Sequence, residues 1–139
     1  MFTMDQQIKA EWVAALRSGE YKQGINFLRQ DDKFCCLGVL CDLHRKAHQK
    51  EGEDDTVNSW FPTISPEMDN TPCFSYHYGN TTLLPDAVMD WCGLHSCDPS
   101  VQRIASFENN HVTQDGTLSL FNDQGATFDQ IADIIEEQL

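Results

Sequence analysis

Six cysteines and five histidines are the residues of this chain best suited to nucleophilic or metal chemistry. Cys35, Cys36 and Cys41 lie in one apolar run, and His44 follows directly after it. A thiol at a helix N-terminus can have a lowered pKa and act as a nucleophile when a histidine serves as its base. Cys36, however, lies two turns from His44 along an intact helix, which prevents direct contact. We therefore interpret these thiols as small buried side chains.

A second group of metal-binding residue types lies further along the chain. Cys73 and His77, followed by Cys92, His95 and Cys97, contain enough thiol and imidazole groups for a four-ligand zinc site. Structural zinc sites usually contain a tighter C-x2-C pair, and this sequence has none. We therefore expect no metal and no other cofactor.

The strongest binding signal lies in a basic segment just before the apolar run. Five of its residues have the chemistry to hold a nucleotide-type anion: Tyr21, Lys22, Arg29, Lys33 and Phe34. The three cationic side chains would hold phosphates, and the two rings would stack on a base. A helix predicted to begin at Cys36 would point its free N–H groups toward the same anion.

Two observations limit this signal. The chain contains neither a Walker motif nor a dinucleotide-binding glycine fingerprint. Arg29 and Lys33 could instead form surface ion pairs with Asp31, Asp32 or Asp42. Both interpretations stay open at the level of sequence.

Two pairs of carboxylates have the spacing of one helical turn. Asp86 and Asp90 form the first pair, and Asp129 and Asp133 form the second. Such pairs can hold a metal ion, but an acidic chain produces them by chance. We interpret both as solvated helix faces.

Charge is distributed unevenly along the chain, whose formal net charge is −13. Residues 1–50 contain eight of the nine Lys and Arg residues and six acidic residues, whereas residues 51–139 contain sixteen acidic residues and only Arg103. Phosphate backbones would be repelled by the second part, so general nucleic-acid binding is not expected. The acidity serves either solubility or docking onto a basic partner, and both explanations stay open.

Length and hydropathy predict a single folded domain over residues 1–139. Hydrophobic residues make up 40% of the chain, and no apolar stretch approaches the roughly 18 residues of a membrane span. The N-terminal residues lack the basic and apolar regions of a secretory signal. We therefore expect a cytoplasmic protein without membrane association, and we leave open whether it forms a homo-oligomer.

Hydrophobic periodicity and turn residues predict an α+β fold. The predicted helices span residues 4–18, 36–49, 85–93 and 128–139. Thr3 with Gln6 and Thr127 with Gln130 have the form of capping boxes. Short strands are predicted in pairs at 25–29 and 33–35, at 73–78 and 81–84, and at 101–107 and 117–121. The pattern indicates one compact domain of about four helices and a small antiparallel sheet of short hairpins, with a flexible or variable loop at 50–72.

Four sequence blocks together form a distinctive pattern: Trp-x-x-Ala-Leu-Arg-Ser-Gly at 12–19, Cys-Cys-Leu-Gly-Val-Leu-Cys-Asp at 35–42, Leu-Pro-x-x-Val-x-x-Trp-x-Gly-Leu at 84–94, and Asn-Asp-x-Gly-x-x-Phe-x-x-Ile-Ala-Asp-Ile-Ile-Glu-Glu at 122–137. In these blocks the chain resembles a small uncharacterised protein family of tailed phages and prophages. The resemblance implies an origin in a phage or mobile element. It implies no catalytic residue.

Three functions are compatible with these observations. Small phage accessory proteins often counter host defence, so by analogy we expect a binding protein that sequesters a small anionic, nucleotide-type signal in the host cytoplasm without catalysis. The alternative is an inhibitor that docks the acidic surface of residues 51–139 on a basic host protein. The third is a small enzyme that hydrolyses a nucleotide or uses a cysteine.

Overall fold

The helix at Cys36–His48 forms the centre of the molecule in the computed structural model. Its first two turns are apolar on nearly every side, so they are stable only when other elements cover them. Cys36, Leu37, Leu40 and Cys41 are all 0% exposed. The indole of Trp12, also fully buried, donates a 2.9 Å hydrogen bond from Nε1 to the carbonyl of Cys36. This bond fixes the start of the central helix against the first helix.

The structure describes residues 4–48, 59–64, 72–77, 81–102 and 115–139. The helices of this part are α1 (Gln6–Arg17), α2 (Cys36–His48), α3 (Asp86–Cys92), α4 (Leu118–Asp123) and α5 (Phe128–Gln138). Its strands are β1 (Lys22–Gln23), β2 (Arg29–Gln30), β3 (Lys33–Phe34), β4 (Trp60–Ile64), β5 (Pro72–Tyr76), β6 (Ser100–Val101) and β7 (Gly116–Thr117). Five strands form one sheet in the order β1-β3-β2-β5-β4, and β6 pairs with β7.

Gly38 allows α2 to lie directly against the backbone of the segment before β2. A Cβ atom at this position would lie 1.8 Å from the carbonyl oxygen of Leu28. The same carbonyl accepts a 3.2 Å hydrogen bond from the N–H of Cys35. Only glycine fits such a close approach, because any side chain would overlap the backbone.

Helices α1 and α5 pack against each other and cover the core from one side. Ile8 and Leu16 of α1 are buried, as are Ile131 and Ile135 of α5. At the edge of this contact Arg17 forms a 2.6 Å ion pair with Asp133. The same guanidinium reaches two further carboxylates of α5, so the acidic face of this helix is partly neutralised.

The predicted α+β class, the single compact domain and the four predicted helices are confirmed. The capping box of Thr127 and Gln130 is present, with both of its hydrogen bonds formed. Helix α1 instead begins with Asp5 as its N-cap, whose carboxylate accepts hydrogen bonds from the next turn. Thr3, the predicted cap, lies outside the described residues.

The strand predictions needed several corrections. Residues 118–123 form α4 instead of a strand, because the Thr117 side chain caps a helix by accepting from the N–H of Leu120. Residues 81–84 form no strand, and β5 pairs instead with β2 on one side and β4 on the other. The larger sheet is mixed, because β1 runs parallel to β3. Of the predicted strand at 101–107, only Val101 is in a described strand, and residues 103–107 lie outside the described part.

Part of the segment 50–72, which the sequence predicts to be a flexible or variable loop, forms a strand. Trp60–Ile64 forms β4 and pairs antiparallel with β5 over five residues. Residues 50–58 and 65–71 lie outside the described residues. Trp60 is therefore a residue of the sheet, and its ring forms part of the candidate site described below.

Candidate functional site

The register of the sheet divides the five predicted binding residues into two sets. Arg29 of β2 lies opposite Phe34 of β3, and Lys22 of β1 lies opposite Lys33 of β3. Consecutive residues of a strand point to opposite faces of the sheet. Arg29 and Phe34 therefore share one face, and the two lysines share the other. Tyr21 joins the first set, because its ring meets Phe34 edge-on with 5.1 Å between ring centres.

Arg29 lies within a cluster of aromatic rings. Its guanidinium carbon is 4.0 Å from the ring centre of Phe74, its cross-strand neighbour on β5. The ring centres of Phe34 and Trp60 lie 5.4 Å and 5.9 Å from the same carbon. A guanidinium within about 6 Å of a ring is attracted by the negative charge of the ring face. The rings therefore hold Arg29 in a defined position.

The hydrogen bonds of Arg29 leave part of its guanidinium available. Its Nε donates a 2.8 Å bond to the carbonyl of Asp31. Among the described residues no partner is found for its two terminal nitrogens. Partial burial lowers the pKa of Arg29, because it removes water from around the charge. A bound anion would replace that water with charge-assisted hydrogen bonds.

A buried carboxylate lies behind this cluster and organises it. Asp42 of α2 is 5% exposed, and it accepts hydrogen bonds from Tyr21 Oη at 2.7 Å, Arg45 Nε at 2.8 Å and Trp60 Nε1 at 3.1 Å. Burial opposes ionisation of Asp42, but the hydrogen bonds from Arg45, Tyr21 and Trp60 outweigh it, so its pKa lies below the ordinary value. Asp42 thus fixes two of the rings that surround Arg29.

Two further cations lie beside Asp42. Arg45 is held by its ion pair with Asp42, and this bond raises the pKa of Arg45. Lys46 donates a 2.9 Å hydrogen bond to the hydroxyl of Tyr21 and lies 5.0 Å from its ring centre. Burial and the neighbouring Asp42 carboxylate raise the pKa of Tyr21, which therefore remains a neutral phenol.

We call the surface formed by Tyr21, Arg29, Phe34, Trp60 and Phe74 the Arg29 face. With Arg45 and Lys46 at its edge it contains three cationic side chains, and Asp42 is the carboxylate in direct contact with Arg45 and Lys46. Asp31 and Asp32 also act electrostatically on Arg29. Arg29 and Arg45 are close enough to repel each other electrostatically. Positive charge next to aromatic rings is suited to an anion that also carries a planar or apolar group.

The two lysines on the other face of the sheet have different surroundings. Lys22 forms a 2.8 Å ion pair with Asp32, and both side chains are largely exposed. Lys33 is exposed and has no ion pair among the described residues. The structure thus brings together Tyr21, Arg29 and Phe34 and separates them from Lys22 and Lys33.

The N-terminus of α2 faces the protein interior and not the Arg29 face. The N–H of Cys36 is directed at Oδ1 of Asn122, at 3.3 Å, and the N–H of Gly38 lies 3.4 Å from the Cys35 sulfur. Cys36 and Asn122 are both essentially buried. The expectation that this helix end helps to bind an anion is therefore wrong, because protein groups already occupy its N–H donors.

The cysteines of α2 lack the environment of a nucleophile. Cys35, Cys36 and Cys41 are at most 3% exposed, and burial raises the pKa of each thiol, to about 12 for Cys35. A buried thiol with a raised pKa is unreactive at neutral pH. Burial also raises the pKa of Cys92. These thiols are core side chains, as the spacing argument predicted.

His44 makes its contacts with aromatic residues. It is 3% exposed, and its Nδ1 lies 2.7 Å from the hydroxyl of Tyr76. Its ring stacks on His48 with 4.1 Å between ring centres, and it meets the edge of Trp91 at 5.2 Å. These contacts join α2 to β5 and α3, so packing positions His44.

The described residues include all five that were considered as zinc ligands. Within this part of the chain, no group of three or more His, Cys, Asp or Glu side chains is placed to hold a metal ion. The carboxylates of Asp86 and Asp90 are exposed, as predicted for a solvated face, and the other predicted pair is partly neutralised by Arg17. None of the helices in the described ranges is long and apolar enough to cross a membrane.

Sequence reasoning did not assign five residues to this site: Asp42, Arg45, Lys46, Trp60 and Phe74. Trp60 and Phe74 are separated from Arg29 by more than thirty residues of sequence, and only strand pairing brings them together. Asp42 did leave a signal, because it is the lone carboxylate in the otherwise apolar run 35–43. A buried carboxylate requires hydrogen-bond donors around it, and the donors around Asp42 are residues of the candidate site.

Comparison with known proteins identifies one family. Residues 4–139 match the family model described as Domain of unknown function (DUF8296). This match covers nearly the whole chain, so the chain belongs to that family. No curated protein and no solved structure matches it. Membership assigns no activity, and function is therefore argued from the site.

Proposed function

We propose that this member of the DUF8296 family is a binding protein that sequesters a small anionic, nucleotide-type ligand on the Arg29 face. The observation that carries the proposal is the position of Arg29, 4.0 Å from the ring centre of Phe74, with no partner for its terminal nitrogens among the described residues. Those nitrogens would bind phosphate or carboxylate oxygens in a fork geometry.

The surrounding rings support a ligand that combines negative charge with a planar group. Phe34 and Trp60 meet edge to face with 5.8 Å between ring centres, and Trp60 tilts against Tyr76 at 5.0 Å. Contacts of this kind hold the rings rigid, so little conformational entropy is lost when a ligand binds. An aromatic base would gain contact area on Phe74 or Trp60 beside the bound phosphate.

Local charge also supports an anionic ligand. The protein as a whole repels anions because of its net charge of −13. Arg29, Arg45 and Lys46 nevertheless lie together beside one carboxylate, and that carboxylate is already bonded. A locally positive surface on an acidic protein favours small anions over long nucleic acids, whose many phosphates would meet the acidic remainder.

The biological role that we propose is counter-defence in a phage-infected cell. It rests on the resemblance to proteins of tailed phages and prophages and on analogy with small phage accessory proteins. In this role the protein would bind a nucleotide-type host signal in the host cytoplasm without changing it chemically. Buried thiols with raised pKa values are consistent with binding in preference to cysteine catalysis.

The first test is a thermal-shift screen against cyclic nucleotides and ADP-ribose-type nucleotides. Ligand that binds only the folded state raises the melting temperature as its concentration rises. Arg29→Glu should abolish the shift, because it places a carboxylate where the anion would bind. If a nucleotide stabilised the Arg29→Glu variant as much as the wild type, the Arg29 face would not be the binding site.

A second candidate function has one observation in its favour. Helices α3 and α5 present exposed carboxylates at Asp86, Asp90, Asp129, Asp133, Glu136 and Glu137. Such a surface could dock on a basic host protein, in line with the acidity of residues 51–139. This alternative predicts an association that weakens steeply with salt and is unaffected by Arg29→Glu.

A further inference from the structure

A small cavity, which shares no lining residue with the Arg29 face, lies where four segments of the chain meet. It has a volume of about 190 Å³ and is lined by Asn26, Phe27, Cys35, Ser119, Asp123 and residues 82–83. Pockets for drug-sized ligands measure roughly 300–1,000 Å³, so this cavity is suited to a smaller molecule. We call it the Asp123 cavity.

Asp123 is the charged residue that lines this cavity, and no cationic side chain of the described residues pairs with it. Oδ1 of Asp123 accepts a 2.8 Å hydrogen bond from the N–H of Asn26. Within the described part of the chain, Oδ2 has no hydrogen-bond partner and no Lys or Arg forms an ion pair with this carboxylate. A half-buried carboxylate without a cationic partner favours binding of a positive charge.

The second carboxylate near the cavity is already bonded. Asp98 accepts hydrogen bonds from both the N–H and the hydroxyl of Ser119. Asp123 and Asp98 both act on Cys35, where they add to burial in raising the pKa of the thiol. The cavity is therefore negative in potential, and phosphate-bearing ligands of the Arg29 face would be repelled from it.

The remaining walls suit the uncharged part of a small cation. Phe27 supplies an aromatic ring, and rings attract ammonium and guanidinium groups. The side-chain amide of Asn26 has no partner among the described residues and can accept a hydrogen bond through its oxygen. Cys35 supplies a small, uncharged surface at 3% exposure.

We propose that the Asp123 cavity binds a small organic cation carrying an ammonium or guanidinium group, with Asp123 as its counter-ion. The N–H donors of the cation would bond to Oδ2 of Asp123 and to the amide oxygen of Asn26, and its carbon atoms would contact Phe27. This site is independent of the Arg29 face and takes a ligand of opposite charge.

The probes for the test are n-propylammonium chloride and methylguanidinium chloride, followed by two-dimensional 15N NMR at constant ionic strength. We expect saturable shifts of the backbone amides of Asn26, Ser119 and Asp123. Asp123→Asn should weaken binding at least about tenfold, because it removes the charge but keeps an oxygen for the N–H of Asn26. Asn26→Gly keeps the backbone N–H and the positive φ of residue 26, and it should also weaken binding.

A matched control completes the experiment. Asp90→Asn removes an equal charge from the exposed face of α3 and should leave binding unchanged. The proposal is overturned if neither cation gives saturable shifts, or if 1-propanol gives the same shifts as n-propylammonium. It is also overturned if Asp90→Asn weakens binding as much as Asp123→Asn, since the cations would then respond only to net charge.

Discussion

The hydroxyl of Tyr21 donates a 2.7 Å hydrogen bond to Oδ2 of Asp42, and this bond joins the candidate binding face to the central helix. Asp42 would be costly to bury alone, yet it is only 5% exposed. Its partners Tyr21, Arg45 and Trp60 compensate for that cost and are at the same time the wall of the Arg29 face. The same carboxylate therefore supports the fold and positions side chains of the proposed binding face.

Removing that carboxylate should destabilise the protein strongly. Asp42→Ala leaves the hydroxyl of Tyr21, the indole N–H of Trp60 and the guanidinium of Arg45 without their acceptor. We expect the free energy of unfolding to fall by about 3 kcal/mol, because truncating one partner of a buried charged network typically costs that much. Urea denaturation followed by circular dichroism measures it.

Asp42→Asn serves as the graded variant and Asp32→Ala as the control. The asparagine keeps one acceptor oxygen and should cost less than the alanine. Asp32 pairs with Lys22 on an exposed surface, so its removal should leave stability unchanged. A loss for Asp32→Ala equal to that for Asp42→Ala would show that burial of Asp42 is not the cause.

The free energy of unfolding at acid pH should depend on the ionisation of Asp42. Its pKa in the folded protein lies below the ordinary value of 3.8, so the unfolded chain takes up a proton first as pH falls. The stabilisation by ionised Asp42 is therefore complete above pH 3.8 and is lost as pH falls through the lower folded pKa. Unfolding free energies measured between pH 6 and pH 2 should converge for wild type and Asp42→Asn at the acid end. A difference that stayed constant over this range would contradict the assignment.

At Gly38, helix propensity and steric overlap predict opposite changes in the free energy of unfolding when alanine is introduced. Helix propensity alone predicts that Gly38→Ala stabilises the protein by up to about 1 kcal/mol. The 1.8 Å approach of the new Cβ to the Leu28 carbonyl predicts destabilisation of about 3 kcal/mol or more. We expect thermal denaturation to show that Gly38→Ala destabilises the protein. At the exposed position 10 of α1, where propensity decides, Ala10→Gly should cost only about 1 kcal/mol.

The thiols should differ in reactivity according to burial. Cys97 is half-buried, whereas the other five cysteines are buried. Brief treatment with iodoacetamide at pH 7.5 should label Cys97 first, as read by peptide mass spectrometry. In denaturant all six should react at similar rates. Labelling of Cys36 in the folded protein as fast as Cys97 would contradict its role as a core residue and would favour a cysteine enzyme.

The helices could be predicted from sequence because their signals are local. The capping box at Thr127 and the apolar stripe of α5 lie within one short segment, and the observed helix agrees with them. The strands could be predicted less well, because most of them are only two residues long and are set by their pairing partners more than by their own residues. Strand β1, for example, has two residues, Lys22 and Gln23, and neither favours a strand.

The site was predictable only in part, for the same reason. Tyr21, Arg29 and Phe34 are close in sequence, and their proximity in the fold could be anticipated. Whether Lys33 belonged with them depended on which face it occupies, and that is set by strand register. Trp60 lies in a segment whose composition is typical of loops, so the sequence did not predict that it is part of the sheet.

Isothermal titration calorimetry of a nucleotide found in the screen, with wild type, Arg29→Gln and Lys9→Gln, tests the central claim most directly. Lys9 lies in the groove between α1 and α5, so its variant removes the same charge elsewhere on the protein. We expect Arg29→Gln to weaken binding at least about tenfold and Lys9→Gln to change it less than about twofold. Equal affinity of wild type and Arg29→Gln, or no binding of any nucleotide, would contradict it.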